Sequence, residues 1–387
     1  PCLCLPLLLL AASAGGGCAS EAEGAIAGED GSAATDALAE ASIAEREGLE
    51  PQEEGIEIRA SAEAELQAPF LRAEPAPAWP PEAAFFGEPD EERRRSLSGS
   101  EIARIRRGGG GRSLGFKITL EDGTEGYFKP EQSFSAAHWY SEIAAYHLDR
   151  ALGFGRVPPV VGRRIRWDRL RAVAGDDPRS AEVRVRGGHA RGAFIYWIPG
   201  GLEALPLGRG WERWIRIDEG LEITPYQRPA DLRHALSGRP SPNALPRHRA
   251  DTPHREERPA ELSDLIVFDY LTQNVDRWGG GNVNVRTRGA RGPLVYLDNG
   301  AGFWHGEQRL GLMERRLEAL QRFRRRTLRA LERFAIEDFT ERLEGEPLAP
   351  ILTARQLAGV EARRQAVLAH IASLRSRYGD AAVLPWD

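Results

Sequence analysis

The chain has 387 residues, 41% hydrophobic and 28% charged, with a formal net charge of -5, which fits a soluble globular protein of two lobes and excludes a single small domain. The charge is uneven: residues 19–66 carry 14 Asp/Glu against Arg46 and Arg59, about -12, so the remainder carries about +7, a balance suited to an anionic substrate. All three cysteines (Cys2, Cys4, Cys18) precede residue 19, which excludes a disulfide or a cysteine metal site from the body of the chain.

In chain order, "LPLLLLAASAGGGCAS" is too short to span a membrane and reads as a secretory signal over residues 1–18. Cys18 after small residues resembles a bacterial lipoprotein cleavage site, with Gly15 where leucine is usual; cleavage near Ala11–Gly17 without a lipid is the alternative. Residues 19–66, acidic, bury too little apolar surface to offset ordering entropy and read as a disordered stalk; residues 67–99, proline-rich, continue it as a linker, read as a segment that drapes on the body. The folded body is expected from Ser100. "LGFKITL" and "EGYFKP" flank an Asp-Gly turn, a hairpin signal. "AAHWYSEIAAYHLDRAL" has helical spacing and a stop at Gly153; "VPPVVGR" and "GAFIYWIPG" (192–200) read as extended. Residues 226–260 are loop-like. Ser263 is expected to cap a buried helix, "DLIVFDYLTQN", and "NVNVR" and "PLVYLD" to form a small hairpin. The tail is expected to hold one helix through "ERRLEALQRFRRRTLRALERF" and another capped by Thr353. The arginines of the first read as a solvated helix face, Trp211 and Trp214 as packing, and no nucleic-acid module is present.

Two features carry chemistry. Four of the five asparagines (Asn274, Asn282, Asn284, Asn299) fall in one window around Asp276 and Asp298. A buried helix ending near Asn274 would place Asp276 on a loop, and the hairpin would return Asp298 beside it. Oxygen ligands of this kind suit a hard divalent cation that also binds substrate phosphates, with one aspartate left to accept the proton of an attacking hydroxyl. The second feature is lysine itself. Of 52 basic residues only Lys117 and Lys129 are lysine. Lys129 ends a strand ahead of the helix carrying Glu142, and a strand lysine held by a helix glutamate is a phosphate-binding arrangement. The run Gly108–Gly111, with Gly109 and Gly110 at its centre, could bring backbone N–H groups to phosphates or serve as a linker. His138 and His147 lack partners at metal-ligand spacing.

"FKP" (128–130), "EIAAYHLDRALGFGRVPPVVGR" (142–163), "DLIVFDYLTQNVDR" (264–277) and "LVYLDNGAGF" (294–303) together resemble the secretory-pathway kinases, the four-jointed Golgi kinase and its relatives that phosphorylate secreted proteins or proteoglycan sugars. The resemblance covers roughly residues 100–380. It implies an α+β, atypical protein-kinase-like bilobal fold, with a β-rich N-lobe carrying one key helix (100–200) and a mainly helical C-lobe (201–387). It implies use of ATP with Mn²⁺ or Mg²⁺ and a hydroxyl acceptor on protein or glycan. Lys129 matches the family's phosphate-binding lysine, Glu142 its partner, Asp276 the catalytic aspartate and Asp298 the metal-binding aspartate. The segment around Ile198 matches the one that reaches the nucleotide base. The second metal ligand normally follows the catalytic aspartate by five residues; here that place is Gly281, with Asn282 one later and Asn284 as fallback. The expected location is outside the cytoplasm: a periplasmic or cell-envelope lipoprotein if bacterial, otherwise a secretory-pathway lumen or secretion. The alternative function is an inactive pseudokinase that binds a peptide or glycan. A change of reaction on the same fold, such as AMP transfer, is a third.

Overall fold

The computed structural model describes residues 84–387 apart from 110, 135–136, 206, 209, 219–224, 227–252, 254, 279–283, 290 and 308–309. The signal-like and stalk segments up to residue 83, Cys18, Gly110 and Asn282 therefore lie outside the described residues, which belong to one compact unit.

Residues 84–99, expected in the linker, are instead part of the folded body. A short hairpin, β1 (Ala84–Phe85) and β2 (Glu88–Pro89), leads into helix α1 (Glu91–Gly99). The turn ahead of α1 is held by a buried carboxylate: Asp90 accepts from Arg150 Nε at 2.7 Å and from the Tyr146 hydroxyl at 3.2 Å. Leu97 is completely buried. Composition over the whole stretch hid these two anchors, because one aspartate and one leucine do not change an average.

A mixed-length antiparallel sheet follows, built from β3 (Ile102–Arg107), β4 (Phe116–Leu120), β5 (Glu125–Pro130), β6 (Val160–Arg166), β7 (Val185–Arg186) and β8 (His189–Tyr196). The strand order is β3-β4-β5-β8-β6, with β7 beside β8. The Asp-Gly turn closes β4 onto β5 as expected. Gly123 there has φ +85°, and Asp122 accepts the Thr124 N–H at 2.9 Å. Period-two alternation decides which face does what. Phe116, Ile118, Phe128 and Phe194 point into a core under α1 and helix α3 (Trp167–Ala174). Tyr127 and Lys129, one residue to either side of Phe128, therefore point to the opposite face. Helix α2 (Trp139–Ala151) is buried along almost its whole length.

Two short strands, β9 (Glu203–Ala204) and β10 (Arg286–Thr287), join β11 (Leu294–Val295) in a small second sheet. Between β9 and β10 runs helix α4 (Arg258–Thr272), with every residue buried. It begins five residues before the expected cap: Pro259 occupies its first turn, where a missing N–H costs nothing. Ser263 lies inside the helix, and its hydroxyl donates to the Arg322 carbonyl at 2.7 Å.

The tail holds α5 (Leu310–Glu318), α6 (Arg325–Arg333), α7 (Ile336–Glu344), α8 (Ala354–Tyr378) and α9 (Asp380–Val383). The single arginine-rich helix expected across 314–334 is two helices. Between them the backbone bonds elsewhere: the N–H groups of Gln321 and Arg322 donate to Ile215 O at 2.9 and 3.1 Å, and Phe323 N–H to Val383 O at 2.7 Å. Thr353 caps α8 as expected, in a reciprocal box with Gln356. Among the described residues no helix is long and apolar enough to cross a membrane.

Replacing Asp90 with alanine leaves the buried Arg150 with one carboxylate partner fewer. It is expected to lower unfolding free energy by about 1–3 kcal/mol, read from the urea midpoint. An unchanged midpoint would return residues 84–99 to a loosely attached linker.

Candidate active site

The alternation of β5 sends Lys129 off the sheet toward α2, whose first turn carries Glu142. The Lys129 ammonium bonds Glu142 Oε1 at 2.6 Å and, from the far part of the chain, Asp298 Oδ1 at 2.6 Å. Glu142 is 3% exposed and Lys129 19%, while the Asp298 side chain is 56% exposed. The second oxygen of Glu142 accepts the backbone N–H of Asn299 at 3.2 Å and its side-chain N–H at 3.4 Å. One carboxylate thus holds both the lysine and the loop that presents Asp298.

Burial alone would lower the ammonium's pKa, but the charges of Asp298 and Glu142 outweigh it and raise it. The Lys129 charge in turn lowers the Asp298 carboxyl below its ordinary value. Asp298 also adopts φ +57°, left-handed for a residue that is not glycine. Aspartate tolerates that region better than most residues, and such strain concentrates where geometry matters for function.

The loop holding Asp276 is stitched to the loop holding Asp298. Asp269 of α4, fully buried, accepts Arg277 Nε at 2.8 and 2.9 Å and Trp278 Nε1 at 2.8 Å. Arg277 then donates to Asn299 Oδ1 at 2.7 Å and to the Leu297 carbonyl. Asn274 completes the seam: its oxygen accepts the Asp276 N–H at 3.3 Å and its nitrogen donates to Asp298 O at 3.2 Å. The Asp276 side chain is exposed at the end of this scaffold.

Lys129, Glu142 and Asp298 are thus in direct contact, and Asp276 is tied to Asp298 through Asn274. Asn284 is half-buried in the turn before β10. Gly109 is exposed, with open space where a Cβ would sit. Ile198 is buried in a small cluster with Phe85 and Val295. Lys117 lies on the sheet, bonded to Glu125 at 2.9 Å and over the Trp197 ring at 4.2 Å.

Sequence reasoning did not assign Asp269, Arg277, Asn274 or Asn299 to positioning; the crowding of asparagines was their only trace. It also missed Tyr127. The glycines that matter in the loop after β3 are Gly108 and Gly115, where a Cβ would lie 2.3 and 2.5 Å from the Tyr127 hydroxyl. The loop closes there through Gly108 N–H to Gly115 O at 2.8 Å.

The sheet with one buried helix, the helical second half and the lysine–carboxylate cluster define a protein of the atypical kinase-like class. Part of the chain matches the Golgi casein kinase, Fam20 family, and most of it is similar to Fam20 and four-jointed proteins. Residues 246–383 match the family model described as Golgi casein kinase, C-terminal, Fam20. The human extracellular serine/threonine protein kinase FAM20C is 25% identical over 73% of this chain and 54% of its own length. Human four-jointed box protein 1 is 30% identical over 73% and 65%. The mouse pseudokinase FAM20A is 26% identical over 63% and 48%. The chain thus spans about half to two thirds of the length of these relatives. Among solved structures, the Golgi casein kinase with Mn/ADP bound superimposes with a TM-score of 0.55 at 19% identity, over 76% of this chain and 78% of that one.

Lys129→Met is expected to move the titration midpoint of the Asp298 carboxyl upward, toward the ordinary 3.8, as followed by carboxyl-carbon NMR. A depressed carboxyl contributes stability that is present above the ordinary value and lost as pH falls through the lowered midpoint. That acid-side loss should therefore shrink in the variant. An unmoved midpoint would mean that Lys129 does not set the charge of Asp298.

Proposed function

We propose that this protein is an ATP-dependent phosphotransferase acting on a hydroxyl of protein serine or threonine or of a sugar, outside the cytoplasm. The observation that carries this reading is the Lys129 ammonium held at 2.6 Å from both Glu142 and Asp298. Similarity to kinases of the Fam20 type supports it, as does the Mn/ADP in a solved structure of the same fold.

In this reading Lys129 binds the phosphates of ATP and Glu142 fixes its position. Asp276, exposed and tethered through Asn274, accepts the proton of the acceptor hydroxyl as its oxygen bonds to the γ-phosphorus and the bond to ADP breaks. Asp298, with Asn282 as partner and Asn284 as fallback, would hold Mg²⁺ or Mn²⁺. The donors fit such an ion: Asp298 is a half-exposed hard oxygen ligand kept ionised by Lys129. No group of three His, Cys, Asp or Glu side chains forms a metal cage among the described residues, which suits an ion whose remaining ligands are substrate phosphates and water. When bound, that ion would neutralise charge on the phosphates. Gly109 and Gly110 would lie near the phosphates and Ile198 near the base.

On the same reading residues 100–200 and 201–387 act as two lobes, with the crossover at Gly200–Gly201. Residues 1–18 serve as an export signal, and the small residues before Cys18 support a lipid attachment there.

A second reading, an inactive nucleotide-binding relative, has its own observation: Asp298 is already engaged by Lys129, and one relative carries the name pseudokinase. Asp276→Ala separates the two. For an active kinase it should cut transfer from labelled ATP with Mn²⁺ by about 10²–10⁴-fold. The rise in melting temperature on adding ATP and Mn²⁺ should persist. Transfer at the wild-type rate in the variant would remove Asp276 from its role; binding without transfer in the wild type would favour the second reading.

A further inference from the structure

Helix α2 carries Glu142 near its start and a second buried ionisable contact near its end. His147 lies five residues on, about 7.5 Å along the axis and about 140° around it, so it serves a different face of the helix. Its Nε2 bonds Glu346 Oε1 at 2.7 Å, and the two side chains are 8% and 1% exposed.

Glu346 comes from the turn after α7 and gathers three elements onto itself. Arg94 of α1 bonds the same oxygen as His147. The backbone N–H of Gly162 in β6 donates to Oε2 at 3.4 Å. Arg94 also lies over the Tyr146 ring of α2, 5.0 Å from its centroid, and donates to Val160 O at 3.3 Å. One carboxylate from the C-terminal part of the chain therefore ties α1, α2 and β6 together.

Charge decides how this tie behaves with pH. Burial alone would raise the Glu346 carboxyl, but the bond from His147 and the charges of His147 and Arg94 outweigh it and lower it. Arg94 already balances that carboxylate. A second cation at His147 would leave a net positive charge in a buried cluster, with Arg342 of α7 beside it. Burial, Arg94 and Arg342 together lower the imidazole below its ordinary 6.5, against the pull of Glu346. The other ionisable neighbours are on α2 itself. The Tyr146 ring lies 5.0 Å away, with its phenol pushed up by burial, and Arg150 is held by Asp90 and Asp149. Neither changes charge between neutral and mildly acid pH. The His147 Nδ1, where the added proton would go, has no protein partner among the described residues. A group with a lowered folded midpoint contributes stability above its ordinary value and loses it as pH falls through that midpoint.

We propose that Glu346 is a positioning residue for α2, and through it for the Glu142–Lys129 pair, and that protonation of His147 releases this hold. The helix carries the change as a rigid element from one face to the other. Mild acid therefore loosens the Lys129 ammonium without unfolding the chain, a local histidine switch behind the site and not in it.

The composition supplies the test. The chain has two lysines, Lys117 and Lys129, so lysine labelled with ¹⁵N at Nζ gives one NMR signal for each. No nucleotide is needed, which makes the outcome independent of phosphoryl transfer. Exchange of the Lys129 ammonium protons is read relative to Lys117, so that the intrinsic effect of pH on exchange cancels. This relative protection is expected to fall about tenfold or more between about pH 7.5 and about pH 5. His147→Gln keeps an N–H for Glu346 but cannot titrate, and should hold the protection at both pH values. Glu346→Gln should lower it at both. Far-UV circular dichroism and melting curves check the fold of each sample, and the wild-type titration decides without either variant. The proposal is overturned if wild-type protection does not change with pH, or if Glu346→Gln matches the wild type. A change that survives in His147→Gln would also overturn it, assigning the effect to another histidine such as His138, which bonds Gly302 O. So would unfolding of the whole chain by about pH 5.

Discussion

A lysine ammonium wedged between two carboxylates from distant parts of the chain, Glu142 and Asp298, is the constraint on which the rest of the structure turns. Taking an ammonium and a carboxylate out of water costs several kcal/mol per ion, and the pair is tolerated only with close geometry and further hydrogen bonds. Here those bonds come from the loop itself: Asn299 donates to the oxygen of Glu142 that Lys129 does not use. The desolvated helix carboxylate therefore needs the loop, and the loop needs the helix. Asp298 stays half-exposed, so the cluster keeps one face toward solvent while its other members are locked.

The second half of the chain solves the matching problem with another buried pair. Asp269 is fully buried, and burial raises its carboxyl pKa against the pull of Arg277. That cost is offset by two donors, the Arg277 Nε–H shared between both carboxylate oxygens and the Trp278 indole N–H. Arg277 can then reach onward to Asn299 because its guanidinium is a planar fork with five donors. One arginine links the buried helix α4 to the irregular stretch after β11, and Asn274 links Asp276 to Asp298. The two aspartates are thus set by the same buried scaffold, although their side chains face outward.

Much of this was legible in the sequence, for physical reasons. The Asp-Gly turn, the alternation through Phe128 and the glycine stop at Gly153 are local signals, and the hairpin and helix they imply are present. The pairing of Lys129 with Glu142 followed from strand-then-helix order and from the rarity of lysine. What was illegible depends on contacts across the chain. Nothing local in "SEIARIRR" marks β3, an edge strand of exposed arginines, and nothing in "ALQRFR" shows that Ile215 and Val383 will take the backbone bonds that end α5. The start of α4 was misplaced because Ser263 looks like a cap; only tertiary packing shows its hydroxyl turned to Arg322. The Asp269–Arg277 scaffold was hidden because an aspartate inside an apolar helix reads as an exception until its partner is seen.

The choice of lysine at 129, in a chain where 50 of 52 basic residues are arginine, follows from the geometry. A guanidinium between Glu142 and Asp298 would lay its fork along one carboxylate and fix its plane. An ammonium is a point charge with three donors that rotate freely. Two of them meet carboxylates at 2.6 Å, and in the proposed kinase reading the third would meet a phosphate oxygen without breaking either bond. The other lysine makes the contrast: Lys117 rests over the Trp197 ring with one carboxylate, Glu125, beside it, a setting that an arginine could fill as well. Position 129 is where the shape of the cation, and not only its charge, decides what the site can do.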